Sequence, residues 1–269
     1  MYKGYYVIDA HCHIYPEKIA AKAAGATDKF YDIKGYGKGT VKDLKRVCKR
    51  DGVDHAIVQS VATTPKQVKS INEFISDEVK NSKGFLTGLG TLHPDSEDIK
   101  GDITHIVELG LKGVKLHPDI QKFKVDGEKL FKIYEICEEK NLTMLVHTGD
   151  YRYENSNPDR VLNVLKSFKN LTFIGAHFGG WSVWEEAAKK LSGIENFYVD
   201  CSSSFGFSDG GVDFKEIALM YGTDRILFGT DYPMWRAKPE IKNLLKLGFS
   251  EENNRKILGE NAKKLFNIL

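Results

Sequence analysis

Six of the eight histidines in this 269-residue chain come directly after short apolar runs, at the places where buried strands would end. Neutral imidazole is the commonest metal ligand in proteins. A histidine buried in an apolar core needs a hydrogen-bond partner of its own. Six histidines at strand ends therefore favour a metal centre over six separate core residues. The six are His11, His13, His93, His117, His147 and His177. We expect His55 and His105, which fall elsewhere, at the surface or beside a helix.

Two of these histidines lie two residues apart in the stretch VIDAHCHIYP, which runs from Val7 to Pro16. Side chains two apart on a strand point to the same face. Asp9 precedes His11 by the same spacing and is therefore predicted to point inward too. There it would either orient His11 or need a buried partner of its own.

A carboxylate usually joins histidines in a site for a hard or borderline divalent ion. The candidate is Asp231 in ILFGTDYP, which ends the last apolar run of the chain. As an alternative, Asp231 caps a turn ahead of Pro233, because Asp before proline is common turn chemistry. The metal interpretation requires the first and last strands to be neighbours.

Eight apolar runs, rich in β-branched and aromatic residues, are predicted as buried strands. From the second onward they begin 25 to 30 residues apart, with amphipathic segments between them. This strict alternation predicts parallel strands joined by right-handed crossovers. The runs begin at Tyr5, Ala56, Phe85, Gly113, Thr143, Thr172, Phe197 and Arg225.

Eight such units predict an α/β fold, a single-domain (β/α)8 TIM barrel over residues 1–269. A doubly wound open sheet is the alternative. In a barrel all strand C-termini lie on one face, which would bring the six histidines and Asp231 together. Residues 15–39 are rich in Gly and Lys without a clear core stripe, so we predict a long loop over that face.

Two helices carry clear sequence signals. The segment TVKDLKRVCKRDG begins at Thr40, a predicted N-cap, and ends at Gly52, a predicted C-terminal glycine. The segment GEKLFKIYEICEEKN has an apolar stripe with Glu and Lys on the opposite face. The stripe consists of Leu130, Ile133, Tyr134 and Cys137.

Charge and composition exclude several function classes. The chain has 39 basic and 37 acidic residues, a net charge of +2 and no clustered basic face, which disfavours nucleic-acid binding. No apolar run approaches the roughly 18 residues of a membrane span, and no signal-peptide pattern is present. The four cysteines show no CxxC spacing. We expect a cytoplasmic protein that acts on a small molecule without nucleic-acid or membrane partners, and whether it forms a homodimer stays open.

The motifs resemble those of the metal-dependent amidohydrolase superfamily, in particular its amidohydrolase-related (amidohydrolase 2) branch. That branch includes aminocarboxymuconate-semialdehyde decarboxylase and related nonoxidative decarboxylases. The resemblance runs along nearly the whole chain in strand order, and ILGENAKKLF resembles the closing helix of the branch. The matching motifs are DAHCHI, GVKLHP, VHTG, GAHFGG and FGTDYP.

The resemblance implies a barrel that holds one divalent metal ion, usually zinc. Its ligands would be His11, His13, His147 and Asp231. His177 would match a histidine that orients water or substrate and assists proton transfer. Relatives with two metals use a carboxylated lysine on the fourth strand, where this chain has Lys115. We expect one ion, because the decarboxylase-like branch generally uses one.

The expected reaction is metal-assisted hydrolysis of an amide, lactone or ester bond in a small, acidic metabolite. Three imidazoles and a carboxylate leave a position for water, whose pKa a catalytic zinc lowers to about 7. Asp231 would act as general base, and His177 would polarise the carbonyl or move a proton.

Three other functions fit the same motifs. The first is nonoxidative decarboxylation on the same scaffold, which nothing in the predicted ligand set excludes. The second is a TatD-type nuclease, disfavoured because GVKLHP and GTDYP replace that family's usual motifs. The third is a barrel that binds a metal or ligand without turnover.

Six residues near strand ends are candidate substrate contacts. Arg152 and Arg236 are two of only seven arginines, and guanidinium suits bidentate carboxylate recognition, although each could equally form a surface salt bridge. Trp181 would wall the pocket or pack in the core. His93 and His117 would contact substrate or cap their strands. The six are Lys115, His117, Arg152, Trp181, Arg236 and His93.

Overall fold

The structure, a computed structural model, describes residues 1–207 and 210–269. Its strands are all parallel and follow one another around the sheet in chain order. They are β1 (Ile8–His13), β2 (His55–Gln59), β3 (Leu86–Gly88), β4 (Gly90–Thr91), β5 (Gly113–Leu116), β6 (Thr143–Val146), β7 (Phe173–Gly175), β8 (Phe197–Asp200) and β9 (Ile226–Leu227). Leu89 alone separates β3 from β4, so these two segments form one barrel strand.

The sheet closes between its first and last strands. Ala10 N donates to Phe228 O at 2.8 Å, and His13 N donates to Tyr232 O at 2.6 Å. Across the β3–β4 strand, Leu89 N donates to Val58 O at 2.9 Å. The eight-stranded TIM barrel prediction is therefore confirmed, and the open-sheet alternative is wrong.

Helices follow the strands around the outside of the barrel, as the alternating pattern predicts. None of the helices in the described residues is long and apolar enough to cross a membrane. They are α1 (Glu17–Tyr31), α2 (Val41–Asp51), α3 (Val68–Lys80), α4 (Ile99–Glu108), α5 (Pro118–Gln121), α6 (Glu128–Glu139), α7 (Pro158–Ser167), α8 (Trp184–Leu191), α9 (Phe214–Tyr221), α10 (Ala237–Lys246), α11 (Glu251–Arg255) and α12 (Asn261–Leu265).

Helix α1 corrects the prediction of a loop over residues 15–39. Its sequence, EKIAAKAAGATDKFY, contains five alanines, which favour helix intrinsically. Only Ala20 is fully buried along its length, so the periodic apolar stripe by which a helix is usually recognised is missing. The segment still lies over the C-terminal face, but as a helix.

The two helices with clear signals form as predicted. The Thr40 side chain accepts a hydrogen bond from Asp43 N at the start of α2, and Gly52 ends that helix in the left-handed conformation with φ of 84°. Helix α6 buries the predicted stripe, with Leu130 and Tyr134 among its buried residues.

The barrel interior is apolar toward its N-terminal end. The inward side chains of the strands form one cluster with the C-terminal helix, which therefore packs against the barrel core. The cluster contains Ile8, Ala10, Ile57, Leu89, Leu145, Ile174, Ala176, Leu227, Ala262 and Phe266. The polar inward positions lie beyond this layer, toward the C-terminal ends of the strands.

An irregularity in β1 overturns the prediction for Asp9. The register with β2 shifts between Asp9 and Cys12, so that Ala10 and His11 both face the barrel interior. A bulge of this kind re-aims side chains that a strict period of two would place elsewhere. Asp9 accepts hydrogen bonds from Thr230 N at 2.9 Å and from His11 N at 3.3 Å. It therefore braces the backbone on both sides of the site rather than lying below the metal.

His55 is also placed differently from the prediction. It begins β2, is only 4% exposed and lies with Nε2 2.8 Å from Thr87 Oγ1. It is a buried histidine with a partner of its own.

We predict that Glu240→Gln makes the protein more stable at alkaline pH. Glu240 in α10 is 3% exposed, and its Oε2 has no hydrogen-bond partner among the described residues. Burial raises the pKa of Glu240 from 4.5 to about 7. The carboxyl ionises less readily in the folded state than in the unfolded state. The free energy of unfolding therefore falls as pH rises from 4.5 through about 7, by about 3 kcal/mol in total.

The measurement is chemical denaturation of both proteins at about pH 4.5 and about pH 8.5. The variant should gain up to about 3 kcal/mol relative to the parent between these conditions. The exposed Glu216→Gln serves as the control and should leave the pH profile unchanged. Parallel profiles for the parent and Glu240→Gln would contradict the prediction.

Candidate metal centre

Three of the predicted ligands meet at the C-terminal end of the barrel. His11 Nε2 lies 3.2 Å from His13 Nε2, and each of these nitrogens lies 3.4 Å from Asp231 Oδ1. Asp231 does not cap a turn with its carboxylate, because its other oxygen accepts a hydrogen bond from Ser203 Oγ at 2.7 Å. Asp231 does begin a turn, because its backbone O accepts a hydrogen bond from Met234 N at 2.8 Å, but its carboxylate is free to face His11 and His13.

The backbone brings Asp231 unusually close to β1. A Cβ atom on Gly229 would lie 3.0 Å from the Cβ of His11, so glycine permits this approach. Asp231 and His177 both have left-handed backbone, with φ of 59° and 60°. Such conformations cost non-glycine residues of the order of 1 kcal/mol or more and concentrate at functional sites.

Asp200 orients His11. Its Oδ2 accepts a hydrogen bond from His11 Nδ1 at 2.9 Å, and its Oδ1 accepts from the backbone N of Ser202 and His177. With the proton held on Nδ1, the lone pair of His11 Nε2 is directed at His13 and Asp231. This is the carboxylate–histidine arrangement that commonly supports a metal ligand. Burial raises the pKa of Asp200, but its interactions with His11, His177 and Ser202 together lower the pKa below its usual value, so the carboxyl remains ionised.

His147 and His177 form a second pair in the same cavity. His177 Nδ1 donates to Ser202 O at 2.9 Å, which leaves the lone pair on Nε2. That nitrogen lies 3.0 Å from His147 Nδ1. On the other side of its ring, His147 Nε2 lies 3.7 Å from Asp119 Oδ2. His147 therefore stands beside His177 rather than within the cluster of His11, His13 and Asp231.

A divalent cation fits this set of donors. Ligands at about 2.0–2.1 Å from a tetrahedral ion are about 3.3 Å apart, close to the separations within the cluster of His11, His13 and Asp231. His11 and His177 each hold their proton on the ring nitrogen that faces away from the cavity, and direct a lone pair inward. Burial lowers the pKa of His11 to about 4, so a proton does not substitute for the ion at neutral pH.

A separate group, His117, Asp119 and His147, also has ligand atoms within 4.8 Å of one another. The rings of His117 and His147 stack in parallel at 4.0 Å, with an interplanar angle of 7°. In-plane lone pairs on parallel rings do not converge on one ion. Asp119 is therefore better placed as a partner of His147 than as a ligand.

Lys115 is buried at the centre of the cavity, only 1% exposed, with Nζ 3.1 Å from His11 Nε2. Burial lowers the pKa of Lys115 to about 8, and the carboxylates of Asp231 and Asp200 oppose this effect. Among the described residues that line the cavity, it is the sole lysine or arginine. It is therefore the cationic group available to an acidic ligand.

Helix α1 covers the cavity. Tyr31, its last residue, lines the cavity and lies with its hydroxyl 2.8 Å from His117 Nε2. His117 also caps α5, because its Nδ1 accepts a hydrogen bond from Ile120 N. His117 thus caps the segment after its strand, as one prediction had it, and it lines the cavity; its contact with substrate stays a prediction.

Four of the six predicted substrate contacts do not line the cavity; they are Arg236, His93, Arg152 and Trp181. Arg236 pairs with Asp51 at 3.1 Å. His93 accepts a hydrogen bond from Asp95 N at 3.2 Å. Arg152 binds Asp150 through two hydrogen bonds of 2.9 and 2.7 Å. Each of the two arginines is satisfied by a carboxylate nearby, as the salt-bridge alternative anticipated.

Arg152 and Trp181 instead fix the position of α1. Arg152 Nη1 donates to Phe30 O at 3.0 Å, and its guanidinium lies 5.3 Å from the centre of the Tyr31 ring. Trp181 packs edge-on against Tyr31 with ring centres 5.3 Å apart. Trp181 is 7% exposed and borders a smaller cavity shared with His177 and Asp231.

The sequence analysis missed Asp200, Asp119 and Tyr31. Asp200 ends the seventh apolar run as the last letter of FYVD, and Asp119 follows the motif GVKLHP directly. A carboxylate at a strand end was a usable signal for both. Tyr31 had no such signal, because its segment was predicted as a loop.

We predict that Asp200→Asn weakens metal binding by about 10- to 100-fold. Oδ1 of Asp200 accepts hydrogen bonds from the backbone N of Ser202 and of His177. An amide NH2 group cannot accept them, so the amide oxygen of the new Asn must take this position and its nitrogen must face His11. It would then donate to His11 Nδ1 and shift the imidazole proton onto Nε2, where it blocks the lone pair. Competition with a chelating indicator measures the affinity. Asp77→Asn, at an exposed position, is the control, and an unchanged affinity in Asp200→Asn would contradict the prediction.

Comparison with known proteins agrees with this architecture. The 2-amino-3-carboxymuconate-6-semialdehyde decarboxylase of Dictyostelium discoideum is 22% identical over 272 residues, which cover 81% of this chain and 74% of the relative. An uncharacterised TIM-barrel protein from Bordetella bronchiseptica superposes with a TM-score of 0.79 at 20% identity, over 97% of this chain and 98% of that one. A dihydroxybenzoic acid decarboxylase from Polaromonas, with bound manganese and the inhibitor 2-nitroresorcinol, gives a TM-score of 0.71 at 16% identity, over 98% and 97% of the two chains.

The structural matches are too distant in sequence to show more than the fold. The family assignment rests on a family model described as Amidohydrolase, which matches residues 8–268 and so spans nearly the whole chain. The resemblance drawn from the motifs is thereby confirmed. The chain belongs to the amidohydrolase family and is an enzyme of the amidohydrolase superfamily.

Proposed function

We propose that this protein is a metal-dependent nonoxidative decarboxylase of a small aromatic or unsaturated carboxylic acid. The observation that carries the proposal is the buried ammonium of Lys115, 3.1 Å from His11 within the histidine cluster. At this position the ammonium group could pair with a substrate carboxylate that also contacts a bound ion. The named relatives are decarboxylases, which favours this function over the hydrolysis expected from the sequence.

The ion would be held by His11, His13 and Asp231. His147, the fourth ligand that the resemblance implies, lies beside His177 in the same cavity and outside this cluster. When bound, a divalent ion supplies Lewis-acid stabilisation of negative charge on substrate oxygens. Imidazole and carboxylate donors suit zinc, the expected ion, and the manganese of the Polaromonas relative is an alternative. A second ion bridged by a carboxylated Lys115 is the alternative, and Lys115 Nζ lies 3.1 Å from His11 Nε2.

Residues of the chain would bind the acid and transfer one proton to it. Lys115 pairs with the carboxylate and orients the bond between that group and the ring. As this bond breaks, its electron pair stays on the substrate carbon and carbon dioxide leaves. Asp231 then delivers to that carbon a proton that it has first accepted from a substrate hydroxyl or a water. His177, whose Nε2 carries a lone pair, accepts a hydrogen bond from a substrate hydroxyl or a water and so orients that group in the cavity.

Hydrolysis with Asp231 as general base remains the alternative use of the same residues. It needs a water beside the scissile bond, whereas protonation of a carbanion benefits from a closed cavity. Helix α1 and Tyr31 cover the cavity here, which favours decarboxylation. The nuclease and the non-catalytic barrel find no support in the named relatives.

The test is a parallel assay of the metal-loaded protein on two substrate panels. One panel contains hydroxybenzoates and unsaturated dicarboxylates and is monitored by carbon dioxide release. The other contains lactones, amides and esters of similar size and is monitored by acid release. We expect turnover only on the first panel. Turnover confined to the second would replace the proposal with hydrolysis, and turnover on neither would favour the non-catalytic barrel.

A further inference from the structure

The hydroxyl of Tyr31 lies in the cavity, and its proton can be donated either to a protein acceptor or to a ligand. It lies 2.8 Å from His117 Nε2, which is its one hydrogen-bond contact among the described residues. It lines the same cavity as Lys115, His177 and Asp231. Which atom donates in this contact decides whether the tyrosine proton is used internally or is available to a ligand.

The protonation of His117 can be assigned from its second nitrogen. Nδ1 accepts a hydrogen bond from the backbone N of Ile120, so it carries a lone pair. A neutral imidazole has one proton, which must then be on Nε2. Nε2 therefore donates to the Tyr31 oxygen, and the tyrosine's own proton is left to point elsewhere.

Two side chains, Trp181 and Arg152, fix the position of the Tyr31 ring that carries this hydroxyl. Trp181 packs edge-on against the Tyr31 ring, with ring centres 5.3 Å apart. The guanidinium of Arg152 lies 5.3 Å from the same ring and also holds the preceding residue, Phe30, through its carbonyl. A donor held this rigidly loses little conformational entropy when it binds a ligand.

We propose that the Tyr31 hydroxyl donates a hydrogen bond to an anionic oxygen of the substrate, in the cavity beside Lys115. The inference rests on the proposed function, since it takes the substrate to be an aromatic acid. The anionic oxygen belongs either to the carboxylate or to an adjacent phenolate, and both present the same acceptor chemistry. Lys115 would form an ionic contact with the substrate, and Tyr31 would donate a neutral, directional hydrogen bond.

The test is calorimetric binding of benzoate and 2-hydroxybenzoate to the metal-loaded parent, Tyr31→Phe and Tyr153→Phe. A hydrogen bond to a charged acceptor accounts for about 10- to 100-fold in affinity. Tyr31→Phe should lose this factor for both ligands if it holds the carboxylate, and only for 2-hydroxybenzoate if it holds the phenolate. Tyr153 also stacks on Phe30 but does not line the cavity, so Tyr153→Phe should bind within about 2-fold of the parent.

Three outcomes would overturn the inference: unchanged affinity of Tyr31→Phe for both ligands, an equal loss in Tyr153→Phe, and a parent that binds neither acid. The metal content and thermal midpoint of Tyr31→Phe should match those of the parent. A lowered midpoint that accounts for the whole loss of affinity would also overturn the inference, because it would assign Tyr31 a structural role. Binding requires no turnover. If the parent binds both acids but releases no carbon dioxide from any, the proposed function fails while the role of Tyr31 stands.

Discussion

Replacing Asp231 by Asn is expected to lower kcat/KM for carbon dioxide release by about 10³-fold. Asn keeps the shape of the side chain and can still accept the hydrogen bond from Ser203 Oγ. It removes the negative charge that faces His11 and His13 at 3.4 Å. It also removes a group that can accept and return a proton, so both metal binding and proton delivery are impaired.

Two measurements separate these effects. Metal content per chain reports on the ligand role, and kcat at saturating metal reports on the proton role. Asp159→Asn, on the surface beside Lys190, is the control and should match the parent in both. A variant that retains more than about a tenth of the parent's kcat with full metal would show that another group delivers the proton.

The barrel and its cluster of histidines were predictable because they depend on regular geometry. Parallel strands alternating with helices bring every strand's C-terminal end to one face. Residues as distant in the chain as His13 and Asp231 therefore become neighbours, at 3.4 Å in the structure. No knowledge of individual side-chain contacts was needed for this step.

The placement of Asp9 was not predictable, because it depends on a local break in that geometry. The period of two along a strand would put Asp9 and His11 on one face. The register shift between Asp9 and Cys12 instead turns Asp9 away, so that it holds Thr230. The shift falls in the segment Asp9–Cys12, which contains no glycine or proline to mark a break in the strand.

The roles of the arginines were not predictable for another reason. A long side chain selects its partner from everything within reach, and a nearby carboxylate competes with the cavity. Arg236 binds Asp51, 185 residues away in the chain, and Arg152 binds Asp150. Arg152 still influences the site, since it anchors the C-terminal end of α1 through Phe30 O.

Removing the metal is expected to abolish turnover and to destabilise the protein. The donor atoms of His11, His13 and Asp231 lie 3.2–3.4 Å apart in a buried cavity, and a bound cation would offset the repulsion between their lone pairs. An ion that binds only the folded state stabilises it by about 4 kcal/mol at a concentration 1,000 times its Kd. The thermal midpoint should therefore fall when a chelator strips the protein, and carbon dioxide release should fall to background.

Addition of zinc or manganese to the stripped protein distinguishes the ions and counts them. We expect activity and midpoint to recover together and to saturate near one ion per chain, because His11, His13 and Asp231 form one compact group of donors. Recovery with one metal and not the other identifies the working ion. Saturation at two ions, together with a chain heavier by one carbon dioxide on Lys115, would instead establish a binuclear centre. Full activity in stripped protein would remove the metal from the mechanism and leave Lys115, Asp231 and His177 to act alone.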